Sequence, residues 1–121
     1  MIIGVGIDVT QVSRFTEAAS RDGLLTRIFT DSERDTSMQR MAGRFAAKEA
    51  LAKALGAPTG LVWTDVEVRK DAEGKPYFAC AGTVAARVAE LGIGRLHLSI
   101  THDAGIAAAV VVCVMPFINC R

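Results

Sequence analysis

Two carboxylates and a set of basic residues stand out against a small, apolar background. Asp8 closes the glycine-rich run Gly4-Val5-Gly6-Ile7-Asp8. Glu49 lies among Arg44, Lys48 and Lys53 in the stretch from Gly43 to Gly56. A third polar cluster, Ser99-Ile100-Thr101-His102-Asp103, sits between two apolar runs. Magnesium takes few protein carboxylates and keeps waters and phosphate oxygens in its shell. Lysine and arginine nearby would neutralise phosphate charge. Together these residue types suit transfer at a phosphate ester or anhydride. The sequence has no Gx4GK[ST] phosphate loop, no GxGxxG fingerprint and no serine nucleophile elbow.

A plainer account exists for each residue. Glu49 and Lys53 are four apart, and such surface pairs are common and worth only about 0.2–0.5 kcal/mol. Asp8 could cap the helix that follows it. A histidine at a strand end, such as His102, is more often a structural hydrogen-bonding group than a catalyst. Lys75 before Pro76 could be a solvated turn charge, and Ser99 and Thr101 ordinary strand residues.

The elements that must position these groups follow from periodicity. Residues 43–55 are strong helix formers, with Gly56 as a natural stop. Arg44 with Lys48, and Glu49 with Lys53, each share a helix face. Residues 2–9 alternate, with Ile3, Val5, Ile7 and Val9 on one face and Gly4, Gly6 and Asp8 on the other. The expectation is a strand that packs with its apolar face and shows bare backbone beside one carboxylate on the other. A helix over about 11–20 carries Arg14 in its first turns and breaks at Arg21-Asp22-Gly23. Leu24, Leu25, Ile28 and Phe29 form a short helical stripe, and Thr30 with Glu33 fits a capping box. A polar helix or loose segment is expected through Gln39. Val62 to Val68 reads as a strand, Asp71 to Gly74 as a turn, and Lys75 to Cys80 as the partner strand of a hairpin. Residues 83–91 read as a helix ended by Gly92. Residues 95–101 alternate as a strand, His102 and Asp103 form a turn, and 106–115 has the Ala/Val composition of a strand buried on both faces.

A chain of 121 residues, half of them hydrophobic, is expected to form one domain, residues 1–121. The formal charge of +1 argues against a dedicated nucleic-acid or polybasic membrane binder. Cys80, Cys113 and Cys120 are widely spaced and show no metal-ligand spacing, so no zinc site is expected. The start lacks the pattern of a signal peptide, and the longest apolar run is too short to span a bilayer. A reduced, cytoplasmic location is expected. The pattern is that of an α+β domain with hairpins and helices packed on a sheet.

Gly4-Val5-Gly6-Ile7-Asp8-Val9 with Arg14-Phe15, then Gly43-Arg44-Phe45-Ala46-Ala47-Lys48-Glu49-Ala50 through Lys53-Ala54-Leu55-Gly56, then Gly74-Lys75-Pro76, then His97 to His102 leading into Ala107-Ala108-Ala109-Val110, occur in that order. In this the chain resembles the bacterial holo-acyl-carrier-protein synthases, which are small 4′-phosphopantetheinyl transferases. The resemblance covers nearly the whole chain. It implies a small α+β fold with a mainly antiparallel sheet, coenzyme A as substrate, magnesium as cofactor and an acyl carrier protein as partner. It implies homotrimers with a catalytic site at each subunit interface, and a role in fatty acid biosynthesis.

By the same resemblance, Asp8 and Glu49 are metal ligands. Arg44, Lys48 and Lys53 are candidates for phosphate contacts, with Lys53 stabilising charge at the reacting diphosphate. Gly74, Lys75 and Pro76, together with Ser99, Thr101 and His102, match regions lining the coenzyme A site. Arg14 matches a position that meets the acidic carrier protein. Glu49 is the first choice for the general base and His102 the second. Many members carry threonine or lysine where this chain has Asp103, which either orients His102 or points away. Two other classes fit the same residues: a non-catalytic coenzyme A or carrier-protein binding module, and a magnesium-dependent phosphoester hydrolase.

Overall fold

The computed structural model describes residues 1–21, 23–34 and 36–116, so Asp22 and Cys120 lie outside the described residues. The chain runs β1 (Ile2–Gln11), α1 (Val12–Ala19), α2 (Leu24–Ile28), a 3-10 turn (Asp31–Arg34), α3 (Met38–Ala54), a second 3-10 turn (Trp63–Asp65), β2 (Val66–Lys70), β3 (Pro76–Cys80), α4 (Gly82–Glu90), β4 (Arg95–Asp103) and β5 (Ile106–Val114). A three-stranded antiparallel sheet has the order β1-β5-β4, and β2 with β3 forms an antiparallel hairpin. The α+β class with an antiparallel sheet is therefore as the sequence implies.

The face of β1 is the opposite of the expected one. Gly4 and Gly6 face α3, and a side chain on either would run into the helix backbone at the carbonyls of Ala54 and Ala50. Val5, Ile7 and Val9 point the other way and are 56%, 62% and 62% exposed. Alternation defines two faces but does not say which is inward. Here the absence of Cβ atoms decides it, because a helix lined with Ala46, Ala50 and Ala54 can approach the strand almost backbone to backbone. The same geometry leaves β5 buried on one face and half-open on the other, where the sequence suggested burial on both.

α3 begins five residues before the expected start at Gly43, at Met38, with Ser37 Oγ accepting from the Arg40 N–H (3.2 Å). It ends as expected, with Gly56 at φ 84°. One core lies between α3 and the sheet, around Leu51, Leu55, Leu98 and Val111. A second joins α1 and α2 to α3, with Phe15 edge-on to Phe29 at 6.1 Å and beside Phe45 at 5.4 Å. Each such large side chain, once fully buried, contributes about 1.5–3 kcal/mol.

Two boundaries moved for local reasons. The first strand of the hairpin starts only at Val66, because Asp65 turns to cap α4: its Oδ2 accepts from Thr83 N–H (2.8 Å) and Thr83 Oγ1–H (2.7 Å). His102 and Asp103 remain in β4, and the turn is instead Ala104-Gly105, both at positive φ (52° and 76°), as a two-residue hairpin requires.

The hairpin carries a measurable acid-sensitive contact. Glu67 accepts from Thr30 Oγ1 (2.6 Å) and from Arg69 Nε (2.6 Å), and these bonds pull its carboxyl down to about 2. A depressed carboxylate stabilises the fold above its unfolded value, and the contribution fades as pH falls through the folded one. We expect Glu67→Gln to be less stable than the parent at pH 7. The gap should narrow as pH falls from about 4.5 towards 2, as read by denaturant midpoints across pH. A gap constant with pH would remove Glu67 from the acid response.

Candidate active site

α3 runs between two depressions and gives side chains to both. The first holds the two carboxylates. Asp8, near the end of β1, accepts from Thr10 Oγ1 (3.0 Å) and from Lys53 Nζ (3.3 Å), and Lys53 also donates to the Ile7 carbonyl (3.0 Å). Glu49 projects from α3 towards the same space. Its carboxyl is raised above the ordinary range: burial disfavours its charge, Asp8 repels it, and Lys53 only partly offsets both. Asp8, Thr10, Arg14, Phe45 and Glu49 line an open cavity of about 450 Å³.

Two mutually repelling carboxylates at an open cavity are a donor set that a divalent cation would relieve. No cluster of three or more His, Cys, Asp or Glu ligands exists among the described residues. A metal held by Asp8 and Glu49 would leave its other positions to water and phosphate oxygens, which fits magnesium.

The second depression, of about 200 Å³, lies between α3, β2, the turn before β3, and β4. Its wall includes Arg40, Arg44, Lys70, Gly74, Pro76 and His102. Positive charge therefore comes from two elements, Arg40 and Arg44 on α3 and Lys70 on β2, which suits a phosphorylated ligand. The turn is held by Asp71 Oδ1, which accepts from the N–H groups of Glu73 and Lys75 (both 2.9 Å), with Gly74 at φ 85°. His102 Nε2 donates to the Gln39 carbonyl (3.0 Å). Its ring lies against Gly43, where any Cβ would collide with it.

The family model of the 4′-phosphopantetheinyl transferase superfamily matches residues 4–111. A holo-[acyl-carrier-protein] synthase of Salinispora arenicola is 54% identical over 93% of this chain and 98% of its own length. The chain belongs to the 4′-phosphopantetheinyl transferase superfamily. Solved structures with the same fold include a holo-ACP-synthase from Plasmodium yoelii (TM-score 0.86, 27% identity, 97% of this chain and 98% of that one). A Chronobacterium ammoniagenes protein solved as an ACPS–CoA complex has a TM-score of 0.82 at 30% identity, covering 94% of this chain and 98% of that one.

Against that superfamily background, several residues singled out from sequence fall elsewhere. Lys48 was expected to contact phosphate, but it is 1% exposed. Its ammonium spends its three hydrogens on the Ile28 carbonyl (2.7 Å), Glu33 Oε1 (2.7 Å) and the Trp63 carbonyl (3.1 Å), and sits 5.2 Å from the centre of the Phe29 ring. Burial holds its pKa below the usual lysine value, and Glu33 offsets only part of that. Arg44 and Lys48 share a helix, but only Arg44 reaches a cavity. Ser99 and Thr101 point away from His102, because alternate residues of β4 face opposite sides of the sheet. They lie on the open face, paired with Val110 and Ala108 of β5. Lys75 lines a separate groove beside Tyr77 and Arg95. Within one chain His102 and Glu49 line different cavities. Asp103 points to the opposite side from His102, as the strand requires.

Four further residues bear on these sites. Thr10 carries no sequence signal beyond its place close to Asp8, and Glu33 reads from sequence only as a capping partner. Arg40 lies before the expected helix start at Gly43; its i, i+4 spacing to Arg44 is the available signal. Lys70 ends β2, and only the hairpin fold brings it to α3.

Proposed function

We propose that the chain is a holo-[acyl-carrier-protein] synthase. It transfers 4′-phosphopantetheine from coenzyme A to a serine of an apo acyl carrier protein, releases 3′,5′-ADP, and thereby serves fatty acid biosynthesis. The observation that carries this reading is the placement of a basic cavity and a two-carboxylate cavity on either side of one helix. The basic cavity suits the 3′,5′-ADP end of coenzyme A, with Arg40, Arg44, Lys70 and His102 facing its phosphates. The carboxylate cavity suits the diphosphate and the incoming serine.

In the reaction the serine hydroxyl oxygen forms a bond to the β-phosphorus. The bond from that phosphorus to the bridging oxygen breaks, and 3′,5′-ADP leaves. The serine proton passes to Glu49, which lines the cavity the serine enters. Lys53, anchored to Asp8 and the Ile7 carbonyl, offsets charge growing on the bridging oxygen. Asp8 and Glu49 would hold Mg2+, which when bound neutralises the diphosphate and polarises its phosphorus. Arg14, exposed on the first turn of α1 and at the rim of the carboxylate cavity, meets the acidic carrier protein.

The open sheet face belongs to the same proposal. Val5, Ile7 and Val9 form an exposed apolar stripe backed by Val110 and Val112, and such a stripe marks an interaction surface. Two further copies covering it would give the homotrimer, and would bring Ser99 and Thr101 from the face of one copy to the site of another. We expect Ile7→Asp to sediment as a folded monomer and to lose transfer activity. A trimer that persists, or a monomer as active as the parent, would rule this arrangement out. A cytoplasmic location completes the reading; no helix among the described residues is long and apolar enough to cross a membrane.

The direct test is the release of 3′,5′-ADP from coenzyme A with Mg2+ present. Release should require apo acyl carrier protein. Release with coenzyme A alone would indicate a hydrolase, and magnesium-independent binding with no release a binding module.

A further inference from the structure

The Glu33 carboxylate and the Lys48 ammonium form an ion pair with side chains 1% and 0% exposed, respectively. Neither cavity includes them, and transfer gives them no chemistry. Their partners, however, are the two walls of the basic cavity. Glu33 Oε2 accepts from the Val68 N–H (2.8 Å) on β2, and Val68 lines that cavity. The Glu33 carbonyl accepts from the guanidinium of Arg44, which lines it from α3. Glu33 Oε1 accepts from Thr30 N–H (2.9 Å) as well as from Lys48. Lys48 in turn ties the Ile28 and Trp63 carbonyls to α3.

We propose that Glu33 and Lys48 are positioning residues for coenzyme A: one buried pair fixes the β2 wall through the Val68 N–H and the α3 wall through the Arg44 guanidinium. This rests on the reading of that cavity as the site for the 3′,5′-ADP end of coenzyme A. Ordinary core packing does not demand an ion pair here. Apolar side chains of similar volume often serve a fold equally well, whereas removing one partner of a buried pair strands the other. What an apolar replacement cannot supply is a side-chain acceptor for the strand N–H; that anchor also fixes where the residue-33 carbonyl meets the Arg44 guanidinium. Sequence spacing fits the role, since Arg44 and Lys48 are one helical turn apart and both reach the 31–34 turn.

The test measures binding and turnover together. Coenzyme A and 3′,5′-ADP are titrated calorimetrically into the parent, Glu33→Gln, Arg44→Ala and the double variant. Steady-state transfer is measured with the same four proteins. Glu33→Gln should weaken binding of both ligands about tenfold and raise KM for coenzyme A alike, with kcat within about twofold of the parent. Glu33→Gln and Arg44→Ala should be non-additive, the double variant binding more tightly than the product of the single effects predicts. A merely structural role would lower the active fraction, so kcat would fall, KM would hold, and the two effects would multiply; that pattern overturns the proposal. Glu33→Leu/Lys48→Met guards against misfolding: it should keep the parent's circular dichroism and still bind coenzyme A more weakly. Parent-like affinity in that folded variant also overturns it. If the parent itself binds neither ligand, the reading of the cavity falls, and this inference with it.

Discussion

Glu49→Gln removes transfer and leaves a folded chain. Losing a general base costs about 10²–10⁴-fold in rate, and loss of a metal ligand would add to that, so turnover should drop to the detection limit. Stability should not suffer. The Glu49 carboxyl is raised by burial and by Asp8, so ionising it costs the folded state something that the unfolded chain does not pay. A raised carboxyl stabilises the fold below its unfolded pKa, and that contribution is lost as pH rises through its folded pKa. At pH 7 the neutral glutamine should therefore match or exceed the parent in Tm. Lost activity with an unchanged melting curve places Glu49 in the reaction. Retained transfer would remove it from the mechanism, and joint loss of activity and fold would make it a structural residue.

Gly6→Ala gives the largest expected loss of stability. The added methyl group would occupy the place of the Ala50 carbonyl in α3. No flexible side chain can swing aside, so strand and helix must separate. Overpacking typically costs about 1–3 kcal/mol and sometimes more, and the upper end applies where the obstacle is backbone. With about 4 °C per kcal/mol for a domain near this size, Tm should fall by about 10 °C or more. Asp8 lies two residues along β1 and Glu49 beside Ala50 on α3, so the same displacement should weaken transfer even in the fraction that folds. Thermal melts and transfer rates of Gly6→Ala beside Val5→Ala would check both points. A Gly6→Ala protein as stable and active as the parent would contradict the close docking of α3 on β1.

The same contact explains what could be read from the sequence. The helix around Glu49, its stop at Gly56, the hairpin and the Ala/Val strand follow from local composition, and the fold class follows from their order. The inward face of β1 does not, because alternation is symmetric; only the missing Cβ atoms of Gly4 and Gly6, set against small residues on α3, break the symmetry. The early start of α3 was hidden because Ser37 is followed three residues later by Arg40, where a capping box would have an acid. Lys48 and Arg44 are chemically alike in sequence, yet one is sealed by Ile28, Glu33 and Trp63 while the other reaches a cavity. That separation depends on contacts 15–20 residues away. Ser99 and Thr101 could be placed on the far side of β4 from period two alone, but their use there depends on what covers the open face.

The central claim is that phosphopantetheine moves from coenzyme A to a carrier serine at the Asp8–Glu49 site. Mass spectrometry of apo acyl carrier protein, incubated with this protein, coenzyme A and Mg2+, tests it most directly. The carrier should gain the mass of one 4′-phosphopantetheine group, and should gain nothing when Glu49→Gln replaces the parent. No gain with any carrier protein of the same cell would contradict it.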